Sequence, residues 1–162
     1  MNETWKEIVW RQFGAAIDML GDAIRACPDE VWNDGSRRSS WYLAYHTLFF
    51  LDLCLSGSTE GFAPPAPFTL AELEYEETTE GPYTQAQLLS YLEHGRAKCR
   101  ATIDALTDEE ARRPCDLFWL PGMSRGDLLL HNLRHVQHHA AQLYLILRQR
   151  TDSAPGWVKF AR

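Results

Sequence analysis

Histidine is the residue type whose placement in this sequence points most directly to chemistry. Five of the six histidines lie in two stretches with helical character: His46 in one, and His131, His135, His138 and His139 in the other. A neutral imidazole is the commonest protein ligand for a transition metal ion. The spacing of these histidines decides how many of them can reach one ion.

The later stretch places its histidines beside the apolar face of one helix. With about 100° of rotation per residue, His135 and His139 lie nearest the apolar stripe, whereas His131 and His138 turn further towards solvent. His135 and His139 stand at positions i and i+4, so their side chains meet one turn apart. One helix offers two imidazoles to a single metal ion by this spacing. We interpret His131 and His138 as surface residues or as partners of the ligands.

A third ligand has to come from another helix, and His46 is the best candidate. It lies in a helix that is apolar nearly all round, where a neutral imidazole needs a partner for its polar nitrogens. Three histidines leave a fourth tetrahedral position open, as in catalytic metal sites, whereas structural sites have four protein ligands. Imidazole donors suit zinc, nickel, copper or iron, and zinc is our first expectation. The alternative is that His46 is a core histidine bonded to a backbone carbonyl.

Four long segments have helical periodicity, and no stretch alternates cleanly enough to predict a strand. They predict an all-α four-helix bundle, a single domain over residues 1–162, in which a long middle connection allows a crossover. Capping-box patterns begin the third helix and a short helical turn near residue 107. The predicted long helices run approximately over Thr4–Ala26, Ser39–Leu55, Thr84–Leu106 and Ser124–Arg150.

The connection from Gly57 to Pro82 is the least regular part of the chain. It is rich in proline, and at most a short helix fits between Thr69 and Glu76. Connections of this length are uncommon in compact domains and often act as lids or binding surfaces. We interpret the acidic run from Glu72 to Glu80 as a solvated loop surface.

The composition excludes several classes of function. The 162 residues contain 16 Lys and Arg against 22 Asp and Glu, a net charge of −6, which argues against binding to nucleic acids or anionic membranes. No apolar stretch reaches the roughly 20 residues of a membrane span, and charged residues near the start argue against a signal peptide. The four cysteines form no CxxC pair, so we expect reduced thiols and a cytoplasmic protein.

The same histidines carry a family resemblance. The run from His131 to Gln142, HNLRHVQHHAAQ, resembles the fourth-helix signature of the DinB-like (DinB/YfiT) superfamily, which reads approximately H-x3-H-x2-HH-x2-Q. The histidine that ends the run WYLAYH, His46, also fits the family pattern. The chain length, the helix order and the long middle connection are similar as well.

The resemblance implies a four-helix bundle with a crossover, often a homodimer, that holds a divalent metal ion through three histidines. Carried over by position, these ligands are His46, His135 and His139. Members often have Arg-Gly between the double histidine and the glutamine, where this chain has Ala140 and Ala141. That departure removes a positive charge near the site, and with it any substrate contact that the arginine makes.

Relatives differ in what they do. Some are thiol-dependent transferases or isomerases that use bacillithiol, mycothiol or glutathione, and others are named only from induction by DNA damage. Our first hypothesis is a metal-dependent enzyme that activates a low-molecular-weight thiol for attack on an electrophile, with Tyr42 and Gln142 as polar neighbours of the site. A metal-hydroxide hydrolase is a variant. The alternatives are a metal-binding module without turnover and a plain dimerising bundle.

Overall fold

The chain folds into helices, and its computed structural model describes residues 2–36, 39–73, 81–117 and 119–162. Within these ranges there is no strand, only isolated bridges. The predicted all-α class and its four long helices are confirmed, whereas the four-residue helix after α1 is too short to give a periodic signal. The helices are α1 (Glu3–Ala26), α2 (Asp29–Trp32), α3 (Ser40–Ser56), α4 (Gln85–Ala105), α5 (Asp108–Arg112) and α6 (Arg125–Thr151).

Side-chain caps fix where the two later long helices begin. Thr84 and Gln87 form the predicted capping box at the start of α4. Ser124 and Asp127 form a second box at the start of α6, where the sequence indicated only an acidic residue in the first turn. In each box two backbone N–H groups without a helical partner find a side-chain acceptor. The register of the histidines on α6 therefore follows from a well-defined start.

The capping box predicted for α5 forms only in part. Thr107 Oγ1 accepts a hydrogen bond from the Glu110 backbone N–H at 3.1 Å. The Glu110 carboxylate does not reach back to complete the box, because it pairs with Arg113 at 2.9 Å and Arg125 at 3.4 Å. Two guanidinium groups attract this carboxylate more strongly than a single exposed amide does.

Each long helix packs against two others, and α3 packs against both α4 and α6. α3 and α6 run in opposite directions, since His46 lies near His139 while the Leu51 carbonyl accepts from Asn132 Nδ2 at 3.0 Å. The Asn132 side chain is fully buried. This contact fixes the height of α3 against α6, and with it the height at which their histidines face each other.

The long connection crosses over the bundle, as the sequence allowed. At the start of α3, Trp41 contacts Tyr83, which precedes α4, with ring centroids 6.0 Å apart. At the other end, Lys98 Nζ of α4 donates to Ser56 Oγ of α3 at 2.7 Å. α3 and α4 are therefore parallel neighbours, and the chain must return along the length of the bundle to join them.

The described part of this connection is anchored by aromatic packing. Phe62 and Phe68 are buried, and Phe68 stacks on Tyr91 of α4 with ring centroids 4.4 Å apart. A 3-10 helix follows at Ala71–Leu73. The predicted short helix thus exists over these three residues, and the rest of the acidic run, residues 74–80, lies outside the described part of the chain.

α3 is buried on nearly all sides, as its apolar composition predicted, yet it carries one buried carboxylate. Asp52 is 1% exposed. Its oxygens accept from Tyr91 Oη at 3.1 Å and from Lys98 Nζ at 2.5 Å. His94 Nε2 lies 3.5 Å from the same carboxylate. This polar contact fixes α3 against α4 as Asn132 fixes it against α6.

None of the described helices combines the length and the apolar character that a membrane crossing requires. All four cysteines are free thiols, of which Cys115 is half-buried and the others are buried. Burial raises the pKa of Cys54 and of Cys99 to about 12.

Candidate metal centre

Three histidines from two helices meet at one point. His46 comes from α3, and His135 and His139 come from successive turns of α6. His135 Nε2 lies 3.4 Å from His46 Nε2 and 3.1 Å from His139 Nε2. One ligand atom from each ring lies within 4.8 Å of the other two. The structure thus brings together the two histidines that the helical wheel selected and the one predicted from the apolar helix.

The separation of the nitrogens suits a metal ion. Nitrogens bound at about 2.0–2.1 Å around a tetrahedral ion lie about 3.3 Å apart. The distances from His135 Nε2 to the Nε2 atoms of His139 and His46, 3.1 and 3.4 Å, bracket that value. With all three ligand atoms within 4.8 Å of one another, the three histidines have a spacing that suits a small divalent ion.

Burial keeps two of these imidazoles neutral. Desolvation, helped by the neighbouring His139 and His46, lowers the pKa of His135 to about 3. Desolvation also lowers the pKa of His139, against the opposing effect of its hydrogen bond to Gln142. Neutral rings keep the nitrogen lone pairs that metal coordination requires.

Gln142 orients one of the rings. His139 Nδ1 lies 2.6 Å from Gln142 Oε1. An amide oxygen only accepts, so Nδ1 carries the proton and Nε2 presents its lone pair to the centre. Gln142 Nε2 also lies 3.1 Å from Nε2 of the exposed His138. The expected roles of Gln142 as a polar neighbour and of His138 as an outer partner follow from these contacts.

Glu72 orients a second ring, which corrects the interpretation of the acidic run as a solvated surface for this one residue. Its side chain is 5% exposed, and its Oε1 lies 2.7 Å from His46 Nδ1. Tyr42 Oη donates to the same oxygen at 3.1 Å. The 3-10 helix turns this carboxylate inward, because two donors one turn apart on α3 compensate for its removal from water.

Local sequence gave only a weak indication of Glu72. It is the first acidic residue of its run and stands between Ala71 and Leu73, but the next acidic residue, Glu74, also has apolar flanks in Leu73 and Tyr75. Its contact with His46 depends on the path of a long connection, which no local pattern specifies. The apolar flanks set Glu72 apart from the later acidic residues of the run but not from Glu74.

The third ring has a different environment. His135 Nδ1 is buried and has no hydrogen-bond partner in the described part of the chain. Among the described residues, a carboxylate thus lies behind the ring of His46 and an amide oxygen behind that of His139, whereas the ring of His135 has no such partner. Hydrogen bonding to a carboxylate raises the basicity of a ligating imidazole, so His46 is the strongest donor of the three.

Comparison with known proteins agrees with this geometry. The sequence model of the DinB superfamily matches residues 12–143, a range that contains all three histidines. The chain belongs to the DinB superfamily. No curated protein matches it.

In this DinB-superfamily protein, aromatic rings shield one side of the histidine group. The Phe50 ring lies 4.8 Å from that of His46 and 5.8 Å from that of His135, measured between centroids. Trp119 packs edge-on against Phe50 at 6.0 Å. These rings cover the side of the group that faces the C-terminal half of α3 and so limit the access of water there.

The remaining histidines of this DinB-superfamily protein stay outside the group. His131 is half-buried and His138 is exposed. His94 faces Asp52 on the α4 side of α3. Across residues 2–36, 39–73, 81–117 and 119–162, no other cluster of His, Cys, Asp or Glu has the spacing for a metal ion.

Proposed function

We propose that this DinB-superfamily protein binds a divalent metal ion, zinc in the first place, through His46, His135 and His139, and activates a low-molecular-weight thiol there. One observation carries the proposal. Three imidazole nitrogens converge, and no fourth Cys, His, Asp or Glu of the described residues joins them. Catalytic metal sites keep a position open for water or substrate, whereas structural sites close it with protein.

When bound, such an ion lowers the pKa of a coordinated thiol, so that thiolate is present near neutral pH. In the proposed transfer, the thiolate sulfur forms a bond to an electrophilic carbon. The leaving group departs with the electron pair of its own bond, and the thiol proton goes to water.

The residues of the chain bind the ion, orient its ligands and shield one side of the site from water. His46, His135 and His139 contribute imidazole rings, which unlike carboxylates add no negative charge that would repel an anionic thiolate. Glu72 and Gln142 hold two of the rings with Nε2 turned inward. The aromatic wall described above limits the access of water, which would otherwise compete with the thiol for the open position.

The first experiment is metal content by mass spectrometry on tag-free protein purified without chelator. Wild type is compared with His46→Ala, His135→Ala and His139→Ala, and His94→Ala serves as a control that removes a histidine outside the group. We expect a metal ion in wild type and in the control, and its loss from each of the three ligand variants. Far-UV circular dichroism checks that every variant is folded.

Activity is then measured with zinc-loaded protein, thiols such as glutathione, and an electrophile such as chlorodinitrobenzene. Thiol transfer that disappears in folded ligand variants supports the enzyme. Metal binding without turnover across a panel of thiols and electrophiles favours the non-catalytic metal-binding module. Wild-type protein that neither contains metal nor takes up zinc or nickel refutes the metal centre.

A further inference from the structure

We propose that Glu72 is a positioning residue of the metal centre, and that through it metal binding and the docking of residues 57–73 stabilise each other. The inference rests on the metal site proposed above, and it does not depend on thiol chemistry. Its basis is that the histidine from α3 is held by a side chain that belongs to the crossover connection.

Glu72 determines the tautomer of His46. A carboxylate accepts hydrogen bonds and cannot donate them, so the Glu72 contact at 2.7 Å places the proton on His46 Nδ1. The lone pair of Nε2 is then free to point at His135 and His139. Without Glu72 the proton can occupy either nitrogen, and the ring can turn about its side-chain bonds.

Glu72 also places a carboxylate beside the histidine group. Glu72 is the carboxylate that touches the histidine group within the described ranges, and the three imidazoles bring no charge when neutral. No Arg or Lys of the described residues forms an ion pair with Glu72, and its Oε2 has no hydrogen-bond partner among them. A divalent cation at the Nε2 atoms would supply the opposite charge that this buried anion lacks.

The position of Glu72 in the chain joins the histidine group to the crossover connection. It lies on the 3-10 helix Ala71–Leu73, in which the Leu73 N–H donates to the Leu70 carbonyl at 2.9 Å. Upstream, Phe62 and Phe68 anchor the same segment in the core. Glu72 therefore links a segment that is already docked to a ring that faces the metal. Such a coupling is reciprocal, because each event must favour the other by the same free energy.

The test measures zinc affinity by competition with a chromophoric chelator. Glu72→Ala removes the contact, Glu72→Gln keeps an oxygen acceptor for His46 but removes the charge, and Glu109→Gln removes a charge from a side chain that is 83% exposed. Loss of the group that orients a ligating histidine costs about 10- to 100-fold in metal affinity. We expect that loss in Glu72→Ala, a smaller loss in Glu72→Gln and no change in Glu109→Gln.

A second measurement follows the segment itself, by hydrogen–deuterium exchange with and without zinc. In wild type we expect zinc to slow exchange at the Leu73 amide and its neighbours in residues 57–73. In Glu72→Ala, zinc should leave the exchange of this segment unchanged. A residue that merely fills space would not make protection of the segment depend on zinc.

Each outcome decides the matter. The inference is overturned, while the metal centre stands, if Glu72→Ala binds zinc as tightly as wild type and zinc still slows exchange in residues 57–73 of this variant. If Glu72→Ala does not fold, unchanged affinity and unchanged zinc-dependent protection in Glu72→Gln overturn it equally. Wild-type protein that binds no zinc overturns both the inference and the proposed function.

Discussion

The buried ion pair between Asp52 and Lys98 leads to a prediction about stability. Lys98→Met keeps the length of the side chain but removes the ammonium group, which donates to the Asp52 carboxylate, to the Asp52 carbonyl and to Ser56 Oγ. The carboxylate is 1% exposed. Among the described residues, it would keep the hydrogen bond from Tyr91 and the neighbouring His94.

The environment of the pair sets how much Lys98→Met lowers the free energy of unfolding. Removal of one partner of a fully buried pair costs about 3–5 kcal/mol, because it leaves an uncompensated charge. The Lys98 side chain is 30% exposed, so solvent already screens the pair, and we expect a loss of about 2 kcal/mol in the free energy of unfolding. At about 2–4 °C per kcal/mol for a chain of this size, Tm should fall by about 4–8 °C.

The assay is urea unfolding followed by far-UV circular dichroism, at neutral pH with chelator present. Arg100→Met is the control on the same helix, because the Arg100 side chain is itself exposed: it pairs with the exposed Glu7 and Asp104 and lies over the Trp10 ring, 5.3 Å from its centroid. It should cost clearly less than Lys98→Met, because solvent screens exposed ion pairs. In a double-mutant cycle, Asp52→Asn should offset part of the effect of Lys98→Met. The reasoning is refuted if Lys98→Met costs no more than Arg100→Met.

Two further predictions concern titratable groups. Burial holds the pKa of His135 at about 3 against 6.5 for the ordinary group, so in metal-free protein the unfolded chain takes up the proton first as the pH falls. The stability that this residue contributes is complete above pH of about 6.5 and is lost as the pH falls towards about 3. Urea unfolding should therefore show that the free energy of unfolding falls by about 2 kcal/mol from pH 7 to pH 5. A fall of equal size in His135→Phe would contradict this. Thiol labelling should modify half-buried Cys115 first, and Cys54 and Cys99 only upon unfolding, since burial raises their pKa to about 12. Equal labelling rates in the native state, read by mass spectrometry, would contradict it.

The long helices were predictable because their signals are local. Apolar periodicity marks α1 and α6, and the Thr84 capping box marks the start of α4. The meeting of His135 and His139 follows from helix geometry alone. His46 could be chosen because a polar ring in an apolar helix needs a partner.

Other features depend on tertiary structure and lie beyond such signals. The inward turn of Glu72 is set by the path of the crossover and by the donors His46 and Tyr42 on α3. The parallel course of α3 and α4 is likewise a property of packing, since a connection of this length is compatible with either direction. The Glu110 carboxylate pairs with arginines, one of them from α6, that no pattern in the short α5 helix could indicate.

The two halves of the histidine group differ greatly in sequence separation. His135 and His139 are joined by one turn of helix, whereas His46 and His135 are 89 positions apart. Two of the proposed ligands are therefore present as soon as α6 forms, and the third arrives only when α3 docks against it. The effective concentration of His46 at the group is set by the packing of α3 and α6 along their whole length. A substitution far from the histidines that loosens this packing would thus weaken metal binding without touching a ligand.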